Sequence, residues 1–148
     1  MILNGEIEVS ASREAVFNKL NDVPFFASCI DGVSDLEKIS ETQYKATLTT
    51  KVAYIQFKFL VQVEITENIF PEKITAKTEG NPIGMIGRLL AISSATLVEK
   101  NNQTMIQYSI DLKLTGKLGG MGQPVLRSKT KELEQQFAKN LQAAFTNV

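Results

Sequence analysis

The feature that most constrains this chain is a two-residue alternation of apolar and polar side chains, which begins at Val33 and continues for about eighty residues. Alternation predicts antiparallel strands with one buried and one wet face, because successive side chains of a strand point to opposite sides of the sheet. After a glycine-rich segment at residues 116–122, an apolar stripe at helical spacing runs for about twenty residues to Phe145. One long helix must cover the apolar face of the sheet, which predicts an α+β fold.

The other segments complete a single domain over residues 1–148, with seven strands in total. Residues 2–9 alternate as a first strand, and Ser12 is placed to cap a first short helix through its hydroxyl. A second short helix begins at Pro24, since proline suits the first helical turn. Glycine, proline and asparagine predict turns at three places: Phe70-Pro71, residues 80–87 and Asn101-Asn102.

Composition excludes the common histidine-dependent chemistries, because the chain has no histidine and a single cysteine, Cys29. Zinc sites of the usual kind, Ser-His-Asp triads and intrachain disulfides are therefore excluded. Sixteen basic residues balance sixteen acidic ones, so a nucleic-acid partner is not expected. The acidic residues of the strands fall at outward positions and predict no acid–base pair: Glu64, Glu67, Glu79 and Asp111. We expect no catalytic residue, no metal and no cofactor.

The sequence has no recognisable targeting or membrane-spanning segment. Residues 1–10 lack the basic start and the apolar run of a signal peptide. No stretch approaches the roughly 20 apolar residues that span a bilayer. A cytoplasmic protein is therefore expected.

Four short motifs occur in order along the chain: FASCIDGV at residues 26–33, the strand ending Ala95-Thr96-Leu97, Thr104 with Tyr108, and GKLGGMG at residues 116–122 before the last helix. Together they resemble the CoxG family of carbon monoxide dehydrogenase subunits over nearly the whole chain. The order of elements is similar to the helix-grip fold of the START superfamily, whose members include polyketide cyclase-like proteins. Asp31 departs from the proline usual in the family, which alters only the turn before Gly32.

This resemblance implies a helix-grip fold, with a curved seven-stranded antiparallel sheet, two short helices and one long C-terminal helix. It also implies an accessory role beside a carbon monoxide dehydrogenase-type molybdenum hydroxylase, with a lipid or quinone as ligand and peripheral contact with the inner face of the membrane. Some family members extend into a C-terminal tail that reaches the membrane. This chain stops at Val148, so anchoring through a tail is not expected.

Inward positions of the strands, together with the helix stripe and the 80–87 loop, are the candidate lining of an apolar ligand cavity. The same residues form an ordinary core if the helix packs tightly onto the sheet. The predicted ligand-binding residues are Tyr44, Ala46, Phe57, Phe59, Val61, Ile74, Ala76, Met85, Tyr108, Ile110, Phe137 and Leu141. The hydroxyls of the two tyrosines need partners, which are either a ligand head group or backbone and water.

Three other features each have two interpretations. Residues 82–87 form either a lid or membrane-touching loop, or a loop folded onto the core. The basic residues between 113 and 131 meet an anionic membrane or are simply solvated. The glycines at 116–122 favour a tight turn over a phosphate site, and Cys29 favours a small buried residue over a nucleophile. The polar side of the long helix is predicted to carry Arg127, Lys131, Glu134 and Lys139.

Three functions are compatible with these features. The first is non-enzymatic binding of a long apolar molecule under the C-terminal helix. The second is a polyketide cyclase-like enzyme, whose polar groups inside the cavity are limited to Tyr44, Thr78, Ser93 and Tyr108. The third is a protein adaptor that docks through the acidic N-terminal part or the apolar loop.

Overall fold

The computed structural model describes residues 1–145, so the part of the predicted single domain at residues 146–148 lies outside them. The described residues form seven strands and four helices in the order strand, two helices, six strands, two helices. Their bounds are β1 Ile2–Val9, α1 Arg13–Asn21, α2 Val23–Ser28, β2 Val33–Lys38, β3 Gln43–Val52, β4 Ile55–Ile69, β5 Lys73–Pro82, β6 Gly87–Lys100, β7 Gln103–Thr115, α3 Gly116–Gly119 and α4 Gln123–Ala143.

The seven strands form one open antiparallel sheet in the order β1-β7-β6-β5-β4-β3-β2. Each strand from β2 to β7 pairs with its sequence neighbour, and β1 adds to the free edge of β7. Asn101 and Asn102 join β6 to β7 with φ angles of 54° and 62°, as a tight hairpin turn requires. The predicted α+β class and the helix-grip arrangement are confirmed.

Side-chain hydrogen bonds explain where the first two helices begin. The Ser12 hydroxyl accepts the backbone N–H of Ala15 at 3.2 Å, as predicted. The Asp22 carboxylate accepts the backbone N–H of Phe25 at 3.2 Å. Helix α2 therefore begins at Val23, one residue before the predicted start at Pro24. These caps satisfy amides that the first helical turn leaves unpaired.

Two predicted boundaries were wrong. The loop at residues 80–87 is shorter than predicted, because Gly80 and Asn81 continue β5 by pairing with Val61 and Leu60. The glycine-rich segment at 116–122 contains the short helix α3, whereas its glycines predicted a tight turn. Helix α3 forms because Leu118 is buried between the sheet and α4, which stabilises a turn of low intrinsic helix propensity.

The core consists of two separate clusters of buried side chains, one near each end of α4. The Leu141 cluster joins β1, α1 and the distal ends of β6 and β7 to the end of α4: Ile7, Val9, Val16, Phe17, Leu20, Leu97, Ile106 and Leu141. The Leu126 cluster joins β3, β4 and α3 to the start of α4: Val52, Phe57, Phe59, Val61, Leu118 and Leu126. Between Leu126 and Leu141, no residue of α4 is fully buried.

Candidate functional site

Buried side chains anchor helix α4 to the core at two points. Leu126 and Leu141 are its buried residues, and they belong to different core clusters. Between them, Thr130, Leu133 and Glu134 keep part of their surface accessible. A helix of 21 residues is about 30 Å long, so its middle crosses a wide span of sheet between the two anchors.

Two rows of inward-facing residues cross the sheet between the two core clusters. One row pairs Ala76 with Ser93 and Ser93 with Ile110, and all three side chains are only partly buried. The neighbouring row pairs Tyr44 with Val63, which are also partly buried. None of these five residues belongs to either core cluster. We give the name central cleft to the region of the inner face of the sheet that carries these five residues.

The structure divides the predicted ligand-binding residues into three groups. Three border the central cleft: Tyr44, Ala76 and Ile110. Five belong to or pack against the Leu126 cluster: Ala46, Phe57, Phe59, Val61 and Met85. Four belong to or pack against the Leu141 cluster: Ile74, Tyr108, Phe137 and Leu141. Four of the twelve are buried in tight core: Phe57, Phe59, Val61 and Leu141. Ligand contact by any of the twelve stays a prediction.

A recess of about 270 Å³ opens between the start of β1 and the start of α4. Its apolar walls come from Leu112 and Leu114 on the inner face of β7, and from Leu126 and Met1. Its rim is polar, with Lys113 and Gln123. Leu112 pairs with Ala91, one row away from Ser93 and Ile110, so the recess lies beside the central cleft. This recess was not predicted from sequence.

A second recess of similar size, about 280 Å³, lies on the opposite face of the sheet. Outward-facing polar side chains line most of it: Gln43, Gln62, Glu64, Lys77 and Glu79. Ile39 also lines it, as do Tyr44 and Val63, two of the five residues of the central cleft. The Lys77 ammonium pairs with the Glu79 carboxylate at 3.2 Å, and the Gln43 amide donates to Glu64 at 2.9 Å. These groups satisfy one another, so this recess does not suit an apolar ligand.

Tyr108 and Glu134 bring polar groups to the space between α4 and the sheet. Burial raises the pKa of the Tyr108 hydroxyl well above its usual value, and the neighbouring Glu134 carboxylate raises it further. The Tyr108 ring lies over Gly5 on β1, where an added Cβ would come within 2.7 Å of ring atom Cε1. The prediction that Glu134 lies on the solvated side of α4 was wrong, because it is half-buried and faces Tyr108.

The profile of the carbon monoxide dehydrogenase CoxG family matches residues 5–146 of this chain. The chain belongs to the CoxG family. The resemblance seen in the sequence phrases is therefore confirmed over almost the whole length. No protein with a curated description matches the sequence closely.

Solved structures similar to this CoxG-family chain share its fold. A conserved protein from Geobacillus kaustophilus is 28% identical, with a TM-score of 0.90 over 98% of this chain and 95% of that chain. A START superfamily protein from Mycobacterium smegmatis is 12% identical, with a TM-score of 0.73 over 97% and 96%. The di-domain ARO/CYC protein BexL of the BE-7585A biosynthetic pathway is 12% identical, with a TM-score of 0.61 over 100% of this chain and 50% of that chain.

The structure of this CoxG-family chain also bears on the remaining sequence features. Met85 packs against the Leu126 cluster, whereas Ile83 and Ile86 are 47% and 90% exposed, so the 82–87 loop is partly folded onto the core and partly free. The basic residues of 113–131 do not share one face, since Lys129 is half-buried and pairs with Glu132 at 3.5 Å.

None of the helices within residues 1–145 has the length and apolarity to cross a bilayer. Across the same residues, no group of acidic or cysteine side chains is arranged to hold a metal ion.

Cys29 follows helix α2 and is 2% exposed, in agreement with its predicted role as a small buried residue. Burial raises the pKa of the thiol above its ordinary value, so the reactive thiolate forms only at higher pH than in an unfolded chain. We expect iodoacetamide to alkylate Cys29 at least about tenfold more slowly in the folded protein than in urea at roughly pH 8. Mass spectrometry of timed samples measures both rates, and equal rates would contradict this assignment.

Proposed function

We propose that this CoxG-family protein binds an elongated apolar molecule, lipid-like or quinone-like, in the central cleft and does not catalyse a reaction. The observation that carries the proposal is the division of the core into two clusters with partly exposed inner residues between them. Small side chains at Ala76 and Ser93 leave room beneath the helix. An apolar pocket with few polar groups is the usual form of a small-molecule site.

Displacement of an apolar fluorescent dye tests the proposal directly. We expect the dye to bind with one site per chain and to be displaced by a long-chain quinone or a fatty alcohol. A soluble, short-chain analogue of each compound serves as control, because it buries less apolar surface and should displace the dye weakly. A protein that binds neither the dye nor the long-chain compounds contradicts the proposal.

The partner that we propose is a carbon monoxide dehydrogenase-type molybdenum hydroxylase at the inner face of the cytoplasmic membrane. The family to which the chain belongs supports this accessory role. Purification of the tagged chain from its own host should recover molybdenum hydroxylase subunits in fixed stoichiometry, identified by mass spectrometry. Recovery of the chain alone, from cells that express the hydroxylase, contradicts this partner.

One end of the sheet has the composition of a membrane-contacting surface, which we call the apolar tip. The β3–β4 and β5–β6 turns expose Tyr54 and Ile86, at 94% and 90%, together with Ile83. The backbone N–H of Ile83 donates to the carbonyl of Lys58 at 2.8 Å, and Gly87 bridges Gly116, which brings the turns to the same end as α3. The three segments at this end, residues 51–58, 81–88 and 113–127, contain six cations and no acidic residue.

We propose that the apolar tip touches an anionic bilayer. Apolar side chains can enter the headgroup region, while nearby lysines gain on the order of 1 kcal/mol each from anionic lipids. Arg88 contributes less, because it pairs with Glu79 at 3.4 Å. The recess between β1 and α4 shares this end of the molecule, since Gly119, Gln123 and Leu126 line it.

Ile86→Glu should weaken binding to phosphatidylglycerol vesicles by about tenfold, because it replaces an aliphatic contact with the bilayer by a charge of the same sign as the lipids. Flotation of vesicles at low salt measures the bound fraction. Val98→Glu is the matched control, since Val98 is 44% exposed on β6 away from this tip and should leave binding unchanged. Equal binding by Ile86→Glu and the unmodified protein contradicts the assignment of this surface.

A second candidate function is catalysis of the cyclase kind in the same cleft. The half-buried Tyr108 favours it, because burial raises the pKa of its phenol, so the group keeps its proton and can donate a hydrogen bond to a substrate oxygen. Replacement of both Tyr44 and Tyr108 by phenylalanine separates the two functions. Turnover of a cyclisable substrate should be lost if the protein is such an enzyme, whereas apolar binding should change little if it is a carrier.

A further inference from the structure

The recess between β1 and α4 exists because β7 extends beyond its partner strand. The backbone N–H of Leu112 donates to the carbonyl of Met1 at 2.8 Å, and the Met1 nitrogen donates to the Leu112 carbonyl at 2.9 Å. Strand β7 continues past this pair to Thr115, so residues 113–115 have β6 on one side and no strand of residues 1–145 on the other. The recess of about 270 Å³ lies at this open edge.

The apolar walls of the recess are part of the packed fold. An added Cβ at Gly119 would lie 2.5 Å from the Leu114 carbonyl oxygen, so the backbone of α3 packs directly against β7. Leu126 is buried, and Leu114 packs against the same core cluster. Together with Leu112 they line the recess with aliphatic surface that the sheet and the start of α4 hold in place.

The rim of the recess is cationic. Lys113 lies on it, and residues 112–131 contain five basic residues and no acidic one. Within residues 1–145 no acidic side chain forms an ion pair with Lys113, although Asp111 lies two residues earlier on the same face of β7. An unpaired ammonium beside low-dielectric apolar walls attracts anions.

We infer that this recess is a second ligand site, which binds a single-chain amphiphilic anion such as a medium-chain fatty-acid anion. The alkyl chain lies against the three leucines, and the carboxylate faces Lys113 at the rim. The volume is just below the range of about 300–1,000 Å³ that is usual for small-molecule sites, so one alkyl chain fits and the two chains of a phospholipid do not. The site is separate from the central cleft and does not depend on the function proposed for it.

Methyl NMR of the full-length, leucine-labelled protein tests the site with decanoate and decylammonium. The two probes have chains of the same length and opposite charges at roughly pH 7.5. We expect decanoate to shift the methyl signals of Leu112 and Leu114, and to bind at least about tenfold more tightly than decylammonium. Leu60 is the internal reference, because it is 56% exposed on the outer face and its signals should not move.

Two charge reversals locate the group that recognises the anion. Lys113→Glu should reduce the preference for decanoate to about twofold or less, because it places a like charge at the rim. Lys117→Glu is the matched control, since it makes the same change at an exposed lysine of the same segment that does not line the recess. It should keep a preference of at least about fivefold, because solvent screens the more distant charge. Unchanged methyl signals of Leu141, in the other core cluster, verify that each variant is folded.

The outcomes separate this site from general electrostatics and from the central cleft. Loss of the preference in Lys113→Glu and its retention in Lys117→Glu support the site. Equal loss in both variants, or no shift at Leu112 and Leu114, overturns it. Decanoate should also bind unchanged to Ser93→Phe, whose added ring lies in the central cleft. Loss of decanoate binding there would place the anion in the cleft and overturn the second site while leaving the proposed carrier function intact.

Discussion

Ser93→Phe should abolish binding of long apolar ligands, with an expected loss of affinity of at least about 100-fold, and should leave the fold intact. Ser93 faces α4 from the middle of the sheet, between Ala76 and Ile110. A phenylalanine ring at this position fills the space that the two core clusters leave open. Dye displacement measures the affinity, and urea unfolding followed by circular dichroism measures the stability.

Ser94→Phe is the matched control for this substitution. Ser94 is the next residue of β6, so a phenylalanine at this position points to the outer face and should leave ligand affinity unchanged.

The stability of Ser93→Phe separately distinguishes an open cleft from a filled core. An open cleft accepts the ring with a change in unfolding free energy below about 1 kcal/mol, whereas a filled core resists it at a cost of about 1–3 kcal/mol. The larger cost, together with unchanged ligand binding, would contradict the cleft.

Leu141→Ala should lower the free energy of unfolding by about 3 kcal/mol, within the range for large-to-small changes in a core. Leu141 is fully buried, and it holds the end of α4 against residues of β1, α1 and β7. The side chains of Asn140 and Gln142 donate hydrogen bonds to the carbonyls of Cys29 and Glu8, which hold this end of α4 in place and limit its collapse into the cavity. Urea denaturation measures the loss as a shift of the midpoint at constant slope.

Leu60→Ala is the control for this prediction, since it removes the same atoms from a leucine that is 56% exposed on the outer face. We expect a change within about 0.5 kcal/mol there, as for other surface substitutions. Equal effects of the two substitutions would show that α4 does not depend on Leu141 for its attachment. The two-anchor description of the cleft would then be wrong.

The strands could be predicted from the sequence because alternation reports a half-buried sheet directly. The hairpin at Asn101-Asn102 and the helix cap at Ser12 also carry local signals, and both were confirmed. Helix α3 lacked such a signal, since its glycines favour a loop and only the burial of Leu118 stabilises it. The strand position of Gly80 also lacked a local sequence signal, because its pairing with Val61 is a tertiary contact.

The lining of the site was less predictable than the fold. Phe57 and Ile110 follow the same alternation, yet Phe57 is buried in the Leu126 cluster and Ile110 borders the cleft. The path of α4 across the sheet decides which inward residues it covers, and periodicity does not encode that path. Glu134 escaped prediction because a charged residue on an amphipathic helix is usually solvated.

The central claim is that the cleft between the sheet and α4 holds an apolar molecule in the cell. Native mass spectrometry of protein purified gently from its own host, followed by organic extraction of the released compound, tests this claim most directly. We expect one lipid-like or quinone-like molecule per chain, absent from Ser93→Phe purified in parallel. A chain that carries no extractable molecule, and that binds no added quinone or fatty alcohol, would contradict the claim.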